Sequence, residues 1–309
     1  MDFVGKRNWF FLLSLLVIAP GIVFLLIAPG LKPGIDFTGG STTAIEFQAE
    51  VDQADLREEL AQAGHPDSIV QRLEDRTFFI RTKELTEEAK DALVGALESS
   101  LSPDGLIVLS FDLVSPVVAS ETVVSALWAV LAAAVGIFLY VWWAFRNVPS
   151  PFRYGTAAIV ALLHDAMIVV GIFAILGVVA DIEVNTMFLI ALLTVIGYSV
   201  NDTIVVFDRL RENVLLYPNR PLAANANLSI SETIGRSLNT SLTLLFTLLA
   251  LILFGGPTIR VFLWVLLIGV IAGTYSSIGI ATNLLVAWEQ GSIGRLFRRG
   301  QPEPEVSLP

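Results

Sequence analysis

Asp165, Asp202 and Arg236 each stand within or at the edge of a long apolar run, where an ordinary hydrophobic helix has no use for a charge. An ionised side chain at the centre of a membrane-spanning helix costs about 2.5–3.5 kcal/mol on insertion scales, and residues that bear this cost usually mark ion or substrate paths. Asp165 follows His164, ten residues into its run. Asp202 follows Asn201, with Tyr198 one turn earlier, and the apolar turn Ile204-Val205-Val206-Phe207 separates it from Asp208-Arg209. It is too short to snorkel far, so a partner cation is expected, and Arg236 is the nearest candidate in chain order. Asn239, Thr240, Thr243 and Thr247 follow Arg236 at i+3, i+4, i+7 and i+11, a polar stripe on a helix otherwise rich in leucine. A buried carboxylate beside an arginine, with hydroxyls leading outward, has the parts of a proton relay.

Each of these residues also has a structural reading. Arg236 can snorkel to headgroups. The threonines can bond the carbonyls four residues back. Asp165 and His164 can line a water-filled vestibule. Asn283 is one more polar group in the last apolar run. Gly269, Gly273, Ser277 and Ala281 recur at i+4 spacing, which suits close helix packing better than chemistry. His65, between Gly64 and Pro66, reads as a surface turn residue rather than a ligand. No Walker A, HExxH, cysteine cluster or GxSxG pattern occurs. The sequence therefore predicts no enzyme, no cofactor and no metal. Energy would come from the membrane, at about 2.3 kcal/mol per charge per 100 mV.

The elements that position these groups are membrane spans. The chain has 309 residues, of which 54% are apolar and 16% charged, and its mean hydropathy is +0.72. A soluble domain carries about 25% charged residues. Six runs approach the roughly 20 residues that a span requires: 9–28, 123–145, 155–180, 187–207, 238–254 and 261–286. The fifth is short as drawn and can extend back to Ile234. The first is expected to be an uncleaved anchor, because its core is long and no small-x-small site stands out. Lys6, Arg7, Arg146, Arg153, Arg209, Arg211, Arg220, Arg236, Arg295, Arg298 and Arg299 all fall on one side of this arrangement, which places both ends of the chain in the cytoplasm.

Between the first two spans the character changes. Residues 30–118 hold 17 acidic and 7 basic side chains, and thus the whole net charge of −10. That acidity gives no support to nucleic-acid binding. Strands are expected at 42–47, 68–73, 77–81 and 106–113, and helices at 53–63 and 86–101, with Thr86 as an N-cap and a turn at 102–105. The order βαββαβ is that of a ferredoxin-like domain. The expected fold class is a membrane α-helical bundle of six spans plus one small α+β ferredoxin-like domain. The segments are 1–29 (N-terminus and first span), 30–118 (the extracytoplasmic, periplasmic domain), 119–290 (spans two to six) and 291–309 (a basic, then acidic and disordered, cytoplasmic tail).

Three segments together carry a resemblance. They are Gly34-Ile35-Asp36-Phe37-Thr38-Gly39-Gly40-Ser41 after span one, the stretch from Ile196 through Asn201-Asp202 to Arg209, and Arg236-Ser237-Leu238-Asn239-Thr240-Ser241. In this order, over essentially the whole chain, they resemble the SecD/SecF family of bacterial protein-export membrane proteins, within the resistance-nodulation-division superfamily. The resemblance implies a half-bundle in the inner membrane that pairs with SecD about a pseudo-twofold axis and associates with SecYEG, with YajC as a further partner. It would act on translocating preprotein, with membrane lipid around it and no nucleic acid. The resemblance implies proton passage through Asp202 and Arg236, with Thr240 nearby and an aspartate supplied by SecD; some relatives use sodium. It gives Asp165 a weaker role. Gly34, Asp36, Gly39, Gly40 and Asn201 belong to the family's motifs. The alternatives are an RND-type exporter of small molecules or lipids, which the small outer domain argues against, and a scaffold that moves no ions.

Overall fold

A computed structural model describes residues 2–27, 30–102, 105–256 and 259–291. The middle of the turn expected at 102–105 and the tail expected at 291–309, apart from Gly291, lie outside the described residues. In chain order the elements are α1 (Arg7–Leu26), β1 (Lys32–Pro33), α2 (Ile35–Thr38), β2 (Gly40–Phe47), α3 (Gln53–Gln62), β3 (Ile69–Glu74), β4 (Thr77–Thr82), α4 (Glu87–Leu101), β5 (Leu106–Val114), α5 (Pro116–Ala144), α6 (Pro151–Val179), β6 (Glu183–Val184), α7 (Thr186–Leu216), α8 (Leu222–Phe254), α9 (Arg260–Ser276), a π-helical turn at Ser277–Ala281 and α10 (Thr282–Glu289).

Among the described residues six helices are long and apolar enough to cross a membrane: α1, α5, α6, α7, α8 and the continuous run Arg260–Glu289. This is a mostly helical, multi-pass membrane protein. Each expected span overlaps one of these helices, but α7 and α8 run well past the apolar limits. Their extra turns are held by charge. Arg209 pairs with Glu212 at 2.5 Å and with Glu232 at 2.6 Å, and Asn213 donates to Ser229 and Glu232, both at 2.9 Å. Hydropathy ends where these charges begin, whereas the helical backbone continues.

The chain forms two compact units. One gathers residues 31–129 and 176–186. Its four-stranded antiparallel sheet runs β3-β4-β2-β5. Asp52 caps α3 by accepting from the Ala54 N–H at 2.7 Å, and Thr86 caps α4 by accepting from the Ala89 N–H at 3.3 Å. The two helices bury Leu56, Leu60, Leu93 and Leu97 with Ile45, Phe47, Phe78 and Ile80 of the strands.

The other unit is the bundle. Helices α6, α7 and α9–α10 hold its interior, while α1, α5 and α8 leave large apolar side chains such as Trp9, Trp143 and Phe246 exposed. The small-residue stripe of the last span packs along α7. A Cβ on Gly269 would overlap Val195, and one on Gly273 would come within 2.9 Å of the Ser199 Cβ. Ser277 Oγ lies 3.1 Å from Thr203 Oγ1, and Ala281 is buried with Phe207 and Leu210. At the α1–α6 crossing, a Cβ on Gly21 would stand 2.6 Å from the Gly171 Cα. Small residues let these backbones approach where no hydrophobic effect drives helices together.

Gly269→Leu is expected to lower the thermal midpoint of the purified protein by the equivalent of about 1–3 kcal/mol, the usual cost of overpacking. Gly197, which has nothing within 4 Å of an added Cβ, tolerates alanine and gains a few tenths to about 1 kcal/mol of helix propensity. Equal midpoints for the two variants would contradict the packing.

Candidate functional site

Asp202 sits in the interior of α7 and is 9% exposed. The structure partners it with Ser237 of α8, whose hydroxyl donates to Oδ1 at 2.5 Å. Oδ2 is buried and makes no hydrogen bond of normal geometry among the described residues, although the Ser277 hydroxyl of the last span stands near the carboxyl. The neighbouring hydroxyls continue on the same buried seam. Tyr198 OH lies 3.0 Å from Ser241 Oγ, and Ser241 lies 2.5 Å from Thr274 Oγ1. A lone buried charge in a low-dielectric interior is costly, and a half-satisfied one only partly less so.

The expected Asp202–Arg236 ion pair is not formed within this chain. Arg236 is exposed, as are Asn239, Thr240, Thr243 and Thr247. Thr240 donates to the Arg236 carbonyl at 3.0 Å, Thr243 to the Asn239 carbonyl at 3.0 Å and Thr247 to the Thr243 carbonyl at 3.0 Å, which is the back-bonding expected of threonine in a helix. The predicted polar stripe therefore exists but points away from the bundle interior. The polar face of α8 that turns inward is Ser229, Thr233, Ser237 and Ser241. Asn201 is exposed beside Asp202.

Asp165 is 1% exposed and lies in a second polar cluster rather than a wet vestibule. Its Oδ2 accepts from Ser199 and, at 2.7 Å, from Ser276. Its Oδ1 lies 2.9 Å from His164 Nδ1. The other ring nitrogen reaches Ser14 of α1 at 2.9 Å. Three helices, α6, α7 and α9, thus meet at one carboxylate, and α1 joins them through His164. Asn283 is buried and donates to the Gly279 carbonyl at 2.9 Å, beside the π-helical turn. Among the described residues no set of three or more His, Cys, Asp or Glu side chains is placed to hold a metal, and His65 lies in a turn with intermediate exposure.

The loop after span one has a different job. Asp36 accepts from the Thr186 N–H at 2.7 Å, which caps the first turn of α7 from 150 residues away. Gly34 donates to the Val184 carbonyl at 2.8 Å as β1 pairs in parallel with β6. Gly39 and Gly40 have φ of 74° and 120°, backbone that only glycine adopts freely. A Cβ on Gly40 would stand 2.7 Å from the Thr82 carbonyl oxygen. Arg81 of β4 ties this loop together, donating to Thr38 Oγ1 at 2.6 Å, the Pro33 carbonyl at 2.9 Å and Glu183 at 3.1 Å. Lys32 pairs with Asp181 at 2.5 Å.

Two family models match. The one described as "Protein export membrane protein SecD/SecF, C-terminal" covers residues 94–291, and the one described as "SecD/SecF GG Motif" covers residues 24–51. The chain belongs to the SecD/SecF family. "Protein translocase subunit SecF" of Thermobaculum terrenum is 45% identical over 98% of both chains, and the protein of the same description from Anaerolinea thermophila is 40% identical over 97% of this chain and 98% of its own. The crystal structure of SecDF from Thermus thermophilus, described as a translocon-associated membrane protein, superposes with a TM-score of 0.83 at 35% identity. It covers 94% of this chain, which spans only 39% of that longer one.

Sequence reasoning missed Ser237, Ser241, Thr274, Ser199, Ser276, Ser14 and Tyr275 as partners, because serine and threonine are common in spans as packing residues. For Ser237 a signal was available, since it sits beside Arg236 in the motif. Arg81 carried none. Asp36→Ala is expected to cost about 0.5–2 kcal/mol, as loss of an N-cap does, with faster amide exchange at Thr186, whereas Asp36→Asn keeps most of the cap. Unchanged exchange at Thr186 in the alanine variant would contradict the capping role.

Proposed function

We propose that this chain is the SecF-type subunit of a SecDF complex that promotes preprotein export through the SecYEG channel, driven by the proton gradient, with Asp202 as the proton-carrying group. The observation that carries the reading is the half-satisfied carboxylate: Oδ1 is held by Ser237, and Oδ2 is buried with no hydrogen bond of normal geometry among the described residues. Full-length similarity to proteins described as SecF supports the export role.

In this reading the outward stripe of Arg236, Asn239, Thr240, Thr243 and Thr247 faces the SecD half, which supplies the ion-pair partner that Arg236 lacks among the described residues. Asp165 belongs to a separate cluster with a secondary part in the relay. The unit built on the β3-β4-β2-β5 sheet is a ferredoxin-like domain on the extracytoplasmic side, as the basic residues of the opposite flanks support. Both ends of the chain lie in the cytoplasm. Lipid surrounds α1 and α5, and no resident cofactor is required.

In proteoliposomes holding this chain with its SecD, Asp202→Asn is expected to assemble normally and to lose gradient-stimulated export. Export at the parental rate would sink the proposal. Imposing a sodium gradient instead of a proton gradient is expected to give no stimulation. Ser237→Ala removes a hydrogen bond to a charged group, worth about 1.5–3 kcal/mol, so proton flux is expected to fall about tenfold or more, with Ser237→Thr restoring most of it.

A further inference from the structure

The Asp165 cluster permits a proton count. Tyr275 OH lies 2.5 Å from the Phe10 carbonyl oxygen, which can only accept, so the tyrosine proton points there. The same hydroxyl lies 3.1 Å from Ser14 Oγ. With its own proton committed, Tyr275 accepts and Ser14 donates. Ser14 has one proton, so its 2.9 Å contact with His164 Nε2 requires that Nε2 carry a hydrogen. His164 Nδ1 lies 2.9 Å from Asp165 Oδ1, and without a proton two lone pairs would face each other there. Asp165 Oδ2 is already an acceptor for Ser199 and Ser276. The ring and the carboxyl therefore hold two protons, one on Nε2 and one between Nδ1 and Oδ1. The pair is neutral, either as imidazolium with carboxylate or as imidazole with carboxylic acid.

We propose that the His164–Asp165 pair is a proton-binding site, occupied in this conformation, whose occupancy sets the direction of the Ser14–Tyr275 hydrogen bonds and with it the contact between α1 and α9. If the shared proton leaves to water, the ring keeps one hydrogen and a second consistent arrangement takes over. Nδ1–H donates to the Asp165 carboxylate, Ser14 donates to Nε2 and Tyr275 donates to Ser14. Tyr275 then has no proton for the Phe10 carbonyl. Two oxygens facing at 2.5 Å with no hydrogen between them must separate. His164, Asp165 and Ser14 are 8%, 1% and 7% exposed, so little water reaches them to relieve the conflict. The imidazole is stacked near Tyr275, with centroids 6.0 Å apart and planes at 27°, which couples ring and phenol sterically. Of the elements that touch the cluster, α7 carries Tyr198 next to Ser199 and Asp202 three residues on, α9 carries Tyr275, and α1 carries no charged side chain from Asn8 to Leu26. The proposal stands on hydrogen-bond directions in this cluster and is independent of the export role given to Asp202.

The chain has two histidines, so His65→Asn leaves His164 as the sole imidazole. Solid-state nitrogen NMR of this full-length variant in lipid nanodiscs at neutral pH is expected to show Nε2 protonated. Nδ1 is then either protonated too, or bare together with a carboxylic-acid infrared band that is lost in Asp165→Asn. Tyr275→Phe frees Ser14 and is expected to give a population with bare Nε2. Bare Nε2 in the parent, or a neutral ring beside an ionised Asp165, would overturn the proton count. An unchanged tautomer in Tyr275→Phe would overturn the coupling to Tyr275.

Discussion

The bundle is organised by one constraint: a carboxylate inside hydrocarbon has to be satisfied by protein. Two carboxylates, Asp165 and Asp202, meet it differently. Asp165 is saturated, with Ser199 and Ser276 on one oxygen and His164 on the other. Asp202 has Ser237 on one oxygen and, among the described residues, no hydrogen bond of normal geometry on the other. A saturated carboxylate ties together the helices around it. The two carboxylates are thus distinguished by hydrogen bonding rather than by depth.

The donors around Asp165 depend on one helix seam. Gly269 and Gly273 bring α9 against Val195 and Ser199 of α7, and that approach places Ser276 on Asp165 and Ser277 on Thr203. Bulk at either glycine would move the donors before it touched the carboxylates. The π-helical turn at Ser277–Ala281 lies on this seam, and Thr282 donates to the Ser277 carbonyl at 3.1 Å beside it. Such turns are often found at functional sites. The loop around Asp36 fixes the other end of α7, so the helix that carries Asp202 is held by a cap at its start and by the Arg209–Glu232 pair near its end.

Much of this was legible in the sequence. The apolar runs named the spans, the Thr86 cap and alternating strands named the elements of the small sheet, and the i+4 spacing of Gly269, Gly273, Ser277 and Ala281 marked a packing face. The sequence leaves the threonine stripe with two readings, hydroxyls of a relay or residues bonded to the preceding turn; the back-bonds are present, but the direction of the stripe was not readable. Periodicity says which residues share a face; it does not say which face turns inward when a partner chain competes for it. The hydrogen bond to Asp202 was not readable for the same reason: Ser237 makes it, while Arg236 acts on Asp202 through its charge alone. The two-residue pairing of β1 with β6 and the reach of Arg81 to Glu183 join segments about 100 to 150 residues apart, which no local pattern encodes.

The account rests on Asp202 exchanging a proton at its free oxygen. Infrared difference spectra across a pH step, taken on this chain reconstituted with its SecD, test that directly. The account predicts a reversible carboxylic-acid band that is absent in Asp202→Asn and shifted in Ser237→Ala. A spectrum with no band assignable to Asp202 at any pH at which the complex stays folded would contradict it.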